Sequence, residues 1–185
     1  MRLERLEATQ RPEKLKAVFD GETLTVSASL CVQFSLCAGM ELDEEAFSAL
    51  KAAVAKEAAR ERAVRILTAS AVSERELEKR LLQKGMLPSD AADAVAWLKE
   101  HRFLDDAATA AQLVDSAVRK GYGRARVKNI LYEKGIPKDR WDEALARIPA
   151  MDDAIDRFLA AKLRGRTADE KTIKKTIDAL LRRGF

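Results

Sequence analysis

Two cysteines and one histidine are the only thiols and imidazole in these 185 residues. Cys31, Cys37 and His101 fall one short of the four ligands a structural zinc site needs. Two cysteines do not make the disulfide framework of a small secreted domain either. They read as reduced, buried, small apolar residues of a cytoplasmic protein. His101, inside Lys99-Glu100-His101-Arg102, reads as a surface residue. Aromatics are 5% of the chain, with eight glycines and four prolines, a profile that disfavours β-rich and disordered chains alike. No phosphate loop of the G-x-x-x-x-G-K-[ST] kind occurs, and no Ser/His/Asp or Cys/His arrangement is discernible. The expectation is a protein that is not an enzyme and carries no cofactor and no metal. The longest uncharged run, residues 23–40, approaches the length of a membrane span. Thr23, Thr25, Ser27, Ser29, Gln33 and Ser35 dilute it, and no basic region precedes it. It is expected to be a buried strand followed by a short buried helix, with no membrane role.

Charge is what the chain has in plenty. Asp, Glu, Lys and Arg are 35% of residues, with a net charge of +4. The distribution matters more than the total. Residues 118–140 hold eight basic side chains against two acids, and residues 162–185 eight against three. Residues 41–61 hold six acids against three bases. Positive charge is gathered in the C-terminal half, the footprint of a surface that meets a polyanion.

The N-terminus alternates polar and apolar residues over Lys14 to Phe19 and again from Glu22 to Val26. Asp20-Gly21 between them is a strong hairpin signal, and Leu3 to Ala8 could add a third strand. Residues 1–42 are therefore assigned to a β-hairpin element with a short helix. From Asp43, a suitable N-cap, Phe47, Leu50, Val54, Ala58, Val64 and Leu67 follow at helical spacing, predicting one long helix that ends near Ser70.

Beyond it the chain repeats. LLQKGMLPSDAADAV (81–95) aligns with LYEKGIPKDRWDEAL (131–145), and LLRRGF (180–185) matches the start of both. Gly85, Gly135 and Gly184 are 50 and 49 residues apart, each after a basic residue, as helix-ending glycines in the left-handed conformation would be. Asp105-Asp106 and Asp152-Asp153 recur 47 apart at the junctions; paired carboxylates could hold a metal, but helix capping is the simpler role. Trp97 and Trp141 fall in the third helix of the first two copies, as core residues. The fold class expected is mainly α: tandem three-helix, helix-turn-helix-like repeats in an elongated curved array, with the N-terminal β-hairpin element. Its segments are 43–104, 105–151 and 152–185, the last cut short.

Arg119-Lys120-Gly121-Tyr122-Gly123 stands at a turn between two helices of the second copy. The matching turn of the first, Ala71-Val72-Ser73, has neither glycine nor a basic cluster, so a generic turn requires neither. Arg124 and Lys128 share a face of the helix that follows, Arg126 points away from it, and the start of that helix offers unpaired N–H groups. The turn is structural, and its charge is expected to meet a polyanion.

These residues resemble a known family. Ser73-Glu74-Arg75-Glu76-Leu77 with Leu81-Leu82-Gln83-Lys84-Gly85 is similar to the first repeat of the RecX regulatory proteins. Phe103-Leu104-Asp105-Asp106 resembles their inter-repeat junction. Arg119-Lys120-Gly121-Tyr122-Gly123, Arg126-Val127, Leu131 and Lys134-Gly135-Ile136 resemble their most characteristic block. Thr109 departs from the family, which usually carries an aromatic after the acidic doublet. The resemblance implies a non-enzymatic cytoplasmic modulator that binds the RecA filament on single-stranded DNA, acting as a monomer. It would restrain ATPase, strand exchange and co-protease activity. Arg119, Lys120, Gly121, Tyr122, Gly123, Arg124, Arg126, Lys128 and Lys134 are the expected contact residues. The alternatives are a helical repeat protein that binds nucleic acid without RecA, and a helical adaptor.

Overall fold

The computed structural model describes residues 1–165 and 169–185. Three antiparallel strands, β1 (Leu3–Ala8), β2 (Lys14–Phe19) and β3 (Glu22–Ser27), form a sheet in that order. Asp20 and Gly21 close the β2–β3 hairpin with φ of 32° and 89°, the left-handed pair that a two-residue turn of matching twist demands. Helices α1 (Ala28–Gln33), α2 (Glu44–Ala69), α3 (Glu74–Gln83), α4 (Pro88–Glu100), α5 (Asp106–Arg119), α6 (Arg124–Glu133), α7 (Trp141–Ala146), α8 (Asp152–Leu163) and α9 (Glu170–Arg183) follow. The protein is mostly helical, with the small sheet at its N-terminus. No described helix is long and apolar enough to cross a membrane.

The chain divides into two compact units, residues 1–64 with 81–97, and residues 65–80 with 98–185. In the first, Leu3, Ala17, Phe19, Val26, Leu36, Leu42, Phe47 and Leu50 form the core, with the Phe19 and Phe47 rings edge to face at 5.0 Å. Helix α2 is continuous, as its spacing predicts, with Asp43 accepting from Ala46 N–H at 2.7 Å. Its apolar stripe is not continuous. Phe47 and Leu50 are buried, but farther along it is Ala59 and Ala63, while Ala58 and Val64 are exposed. The nine residues from Leu50 to Ala59 amount to about two and a half turns, so the buried face crosses to the opposite side. In the same unit Asp93 on α4 binds Lys56 at 2.6 Å and Arg60 at 2.8 Å. Desolvation works to raise the Asp93 carboxyl, but those two cations outweigh it and hold the group below its ordinary range. Short helix α1 buries only Leu30, and Cys31 is half-buried and Cys37 exposed. The expected buried helix and buried thiols are therefore corrected: six residues make too short a stripe to cover more than one side chain.

In the second unit Ala110, Val114, Ala117, Val127, Leu131, Ile136, Ala144 and Leu145 form the core between α5, α6 and α7. Trp141 is half-buried at its edge, its indole Nε1–H donating to Ile136 O at 2.9 Å. Helix after helix ends the same way. At Gly85, Gly121, Gly135 and Gly184 the chain turns left-handed, with φ between 68° and 86°. The glycine N–H then bonds back three residues, and the next N–H back five: Gly121 to Val118 O and Tyr122 to Ala117 O, Gly184 to Leu181 O and Phe185 to Leu180 O.

A second joint recurs between repeats. The N-cap of α3, Ser73, accepts from Glu76 N–H and donates its hydroxyl to Lys134 O, at the C-terminus of α6. The start of α6 in turn meets the end of α9: Gly123 N–H donates to Arg183 O at 2.8 Å and Ala125 N–H to Gly184 O at 3.0 Å. Each time a donor at the N-terminus of one repeat's second helix, the Ser73 hydroxyl at α3 and backbone N–H groups at α6, meets carbonyl oxygen at the C-terminus of the next repeat's second helix. Both helix dipoles are complemented at once.

Candidate polyanion-binding site

The RKGYG turn is built from those two motifs. Helix α5 has Asp105 as N-cap, its carboxylate accepting from Ala107 and Ala108 N–H. Asp106, the next residue, is buried and accepts from Glu74 N–H at 2.9 Å, capping α3 across the repeat boundary. Desolvation raises the Asp106 carboxyl, a push the Glu74 hydrogen bond only partly offsets. The capping role read for the acidic doublets therefore holds at the first. At the second, Asp152 and Asp153 lie in the first turn of α8, whose N-cap is Met151 with no side-chain bond. There they face the helix dipole without capping it, because Asp152 is already helical. Among the described residues, no three His, Cys, Asp or Glu side chains stand together as metal ligands.

The two glycines of the turn have different reasons to exist. Gly121 has φ +68 and ends α5. Gly123 has φ −77, a conformation any residue adopts. A Cβ there would lie 2.3 Å from Gly184 O and 2.6 Å from Phe185 N, so the position needs glycine for close approach of backbone. Gly184 reciprocates: a Cβ on it would lie 2.2 Å from Arg126 N. The free N–H cradle expected at the start of α6 is thereby corrected. The donor at Ala125 is taken by Gly184 O, and a neighbouring backbone occupies the approach.

The nine expected contact residues divide. Arg119, Lys120 and Gly121 line a cleft of about 790 Å³ with α8 and α9. Tyr122 is half-buried against the α5–α7 core, and Gly123 is enclosed by the end of α9. Arg124 is exposed, its guanidinium 3.4 Å from Leu145 O, and Lys128 is exposed one turn on. Arg126 pairs with Glu133 at 3.4 Å, and Lys134 contributes its carbonyl to the Ser73 joint. The last six do not line the cleft.

What sequence reasoning missed lies on the other two walls: Arg157, Phe158, Lys162 and Arg164 from α8 and its end, and Arg183 from α9. Arg183 stacks on the Phe158 ring at 4.8 Å, and Lys162 stands 5.9 Å from it. The Arg183 guanidinium also reaches Gly121 O at 3.5 Å, tying α9 to the end of α5. The excess of basic residues over 162–185 was the available signal. Its meeting with Arg119 and Lys120 was not in the sequence.

Residues 59–98 match the family profile described as RecX, first three-helix domain, and residues 105–145 that described as RecX, second three-helix domain. A Regulatory protein RecX from Cronobacter sakazakii is 36% identical over a 96-residue alignment covering 46% of this chain and 58% of that protein. One from Shigella dysenteriae is 37% identical over 95 residues, with 46% and 57% covered. The chain thus spans less than two thirds of the length of these curated relatives. A crystal structure of regulatory protein RecX superposes with a TM-score of 0.74 at 23% identity, over 100% of this chain and 94% of that one. RecX from Lactobacillus salivarius superposes at 0.59 and 18% identity, over 72% and 90%. At such identities the structures speak for the fold alone; in sequence, the chain is similar to the RecX regulatory proteins over both three-helix domains, matched in order.

Proposed function

We propose that this protein is a non-enzymatic regulator of the RecA recombinase. It binds the RecA filament on single-stranded DNA and restrains ATP turnover, strand exchange and co-protease activity. One observation carries the reading: the two RecX three-helix domains are present in order, and the basic turn Arg119–Lys128 lies within the second. A RecA filament offers both acidic protein surface and phosphodiester backbone, and exposed Arg119, Lys120, Arg124 and Lys128 suit either. Structurally the turn is held by backbone hydrogen bonds, so the exposed side chains of Arg119, Lys120 and Lys128 are not needed to hold it.

The test is RecA-catalysed ATP hydrolysis on single-stranded DNA with this protein titrated in. Turnover should fall at low-micromolar protein, while the protein alone hydrolyses nothing. Unchanged turnover at every ratio, with tight binding to DNA alone, would give the chain to the second reading, a nucleic-acid-binding protein acting without RecA.

A further inference from the structure

We propose that the cleft between the end of α5, helix α8 and the end of α9 is a binding site for single-stranded nucleic acid, with the phosphodiester backbone on its cations and a base on Phe158. Six cations line it: Arg119 and Lys120 from α5, Arg157, Lys162 and Arg164 from α8 and its end, and Arg183 from α9. Its described lining contains no acidic side chain. Ordinary surface helices intersperse the two signs; six like charges facing one space repel one another, and a bound polyanion relieves that repulsion. Arg119, Lys120, Arg157, Lys162 and Arg164 are exposed, so none is committed to the core.

Phe158 decides which polyanion. An acidic protein surface or a free phosphate needs cations only and gains nothing from a ring beneath them. Duplex DNA offers phosphates, but its base faces are stacked away inside the helix. A single strand offers both phosphates and unstacked bases, and a ring set among arginines and lysines is the pairing such strands use. Lys162 is the looser of the two cations on the ring, at 5.9 Å against 4.8 Å for Arg183, and only Arg183 is also tied to Gly121 O. A base that displaces Lys162 from the ring leaves its ammonium for the adjoining phosphate, while Arg183 holds the ring in place. The volume of about 790 Å³ is in the range of small-ligand clefts and suits one or two nucleotides, with the strand running on at both sides.

The inference deepens the regulator reading by giving that protein a direct hold on the strand; its test omits RecA, so that either can fail alone. Anisotropy of a fluorescein-labelled oligothymidylate 20-mer is followed over a range of sodium chloride with the full chain, R157Q/R164Q and Phe158→Leu. The double variant should bind at least tenfold more weakly at low salt, and its log–log salt slope should shrink by about 0.7 for each phosphate left without its cation. Phe158→Leu should weaken binding at least fivefold with the slope unchanged, because stacking releases no counterions. Circular dichroism melts confirm that each variant is folded. Oligothymidylate binding equal to the parent's in both variants overturns the site. Weaker binding in the double variant alone, with Phe158→Leu unaffected, overturns the base stacking and leaves a simple anion cleft. A parent that binds polyglutamate but not oligothymidylate gives the cleft to an acidic protein instead.

Discussion

Replacing Gly123 separates helix capping from backbone packing, because the two predict opposite signs. Gly123 is the N-cap of α6 at φ −77, and its side-chain position makes no capping bond. By capping alone, Gly123→Ser should stabilise by a few tenths of a kcal/mol, since serine caps better than glycine. Packing says otherwise. Any Cβ at 123 lands 2.3 Å from Gly184 O and 2.4 Å from Gly184 C, backbone atoms that no rotamer change can move. The end of α9 must withdraw, breaking Gly123 N–H to Arg183 O and Ala125 N–H to Gly184 O. Two such bonds, each contributing about 0.5–1.5 kcal/mol, place the cost at about 1–3 kcal/mol for Gly123→Ala and for Gly123→Ser. The effect is local, because the α5–α7 core lies elsewhere. Amide hydrogen exchange by mass spectrometry should show faster exchange at the end of α9 and the start of α6. Protection of Val114 and Leu131 should persist. Unchanged exchange at those termini, or a serine variant more stable than the parent, would refute the close-approach argument.

Three further outcomes are expected. Ser73→Ala removes the cap on Glu76 N–H and the hydroxyl bond to Lys134 O, and should lower stability by about 1–2 kcal/mol in urea denaturation. Binding to RecA filaments should distinguish R119Q/K120Q from R124Q/K128Q, because only the first pair lines the cleft; each exposed substitution should shift stability by no more than about 0.5 kcal/mol, and equal weakening by both pairs would show one undivided basic surface. The raised carboxyl of Asp106 makes a pH prediction. A carboxyl raised in the fold favours the protonated native state, so its stabilising contribution is full below the ordinary value of 3.8 and is lost as pH rises through the folded value. Asp106→Asn, which keeps an acceptor for Glu74 N–H, should flatten that part of the stability–pH curve measured by urea midpoints; a curve of unchanged shape would show that Asp106 does not contribute to it.

The sequence by itself determined what depends on a residue and its neighbours within about five positions. Asp20-Gly21 makes its turn because both residues tolerate positive φ, and α2 runs from Glu44 to Ala69 because a cap opens it and no breaker interrupts it. Gly85, Gly135 and Gly184 end helices because the left-handed closing residue admits a glycine most cheaply, and their spacing made the repeats legible. Tertiary structure decided whatever depends on distant segments meeting. Nothing local calls for glycine at 123; Gly184, sixty-one positions later, does. The same approach of backbones closed the expected anion cradle on α6. The change of buried face along α2 was hidden because alanines lined its second stripe, and small side chains give a weak periodic signal. The cleft was unreadable for the same reason as Gly123. Arg119 and Arg183 are 64 positions apart, and only the docking of α9 on α6 brings their charges to one space beside Phe158.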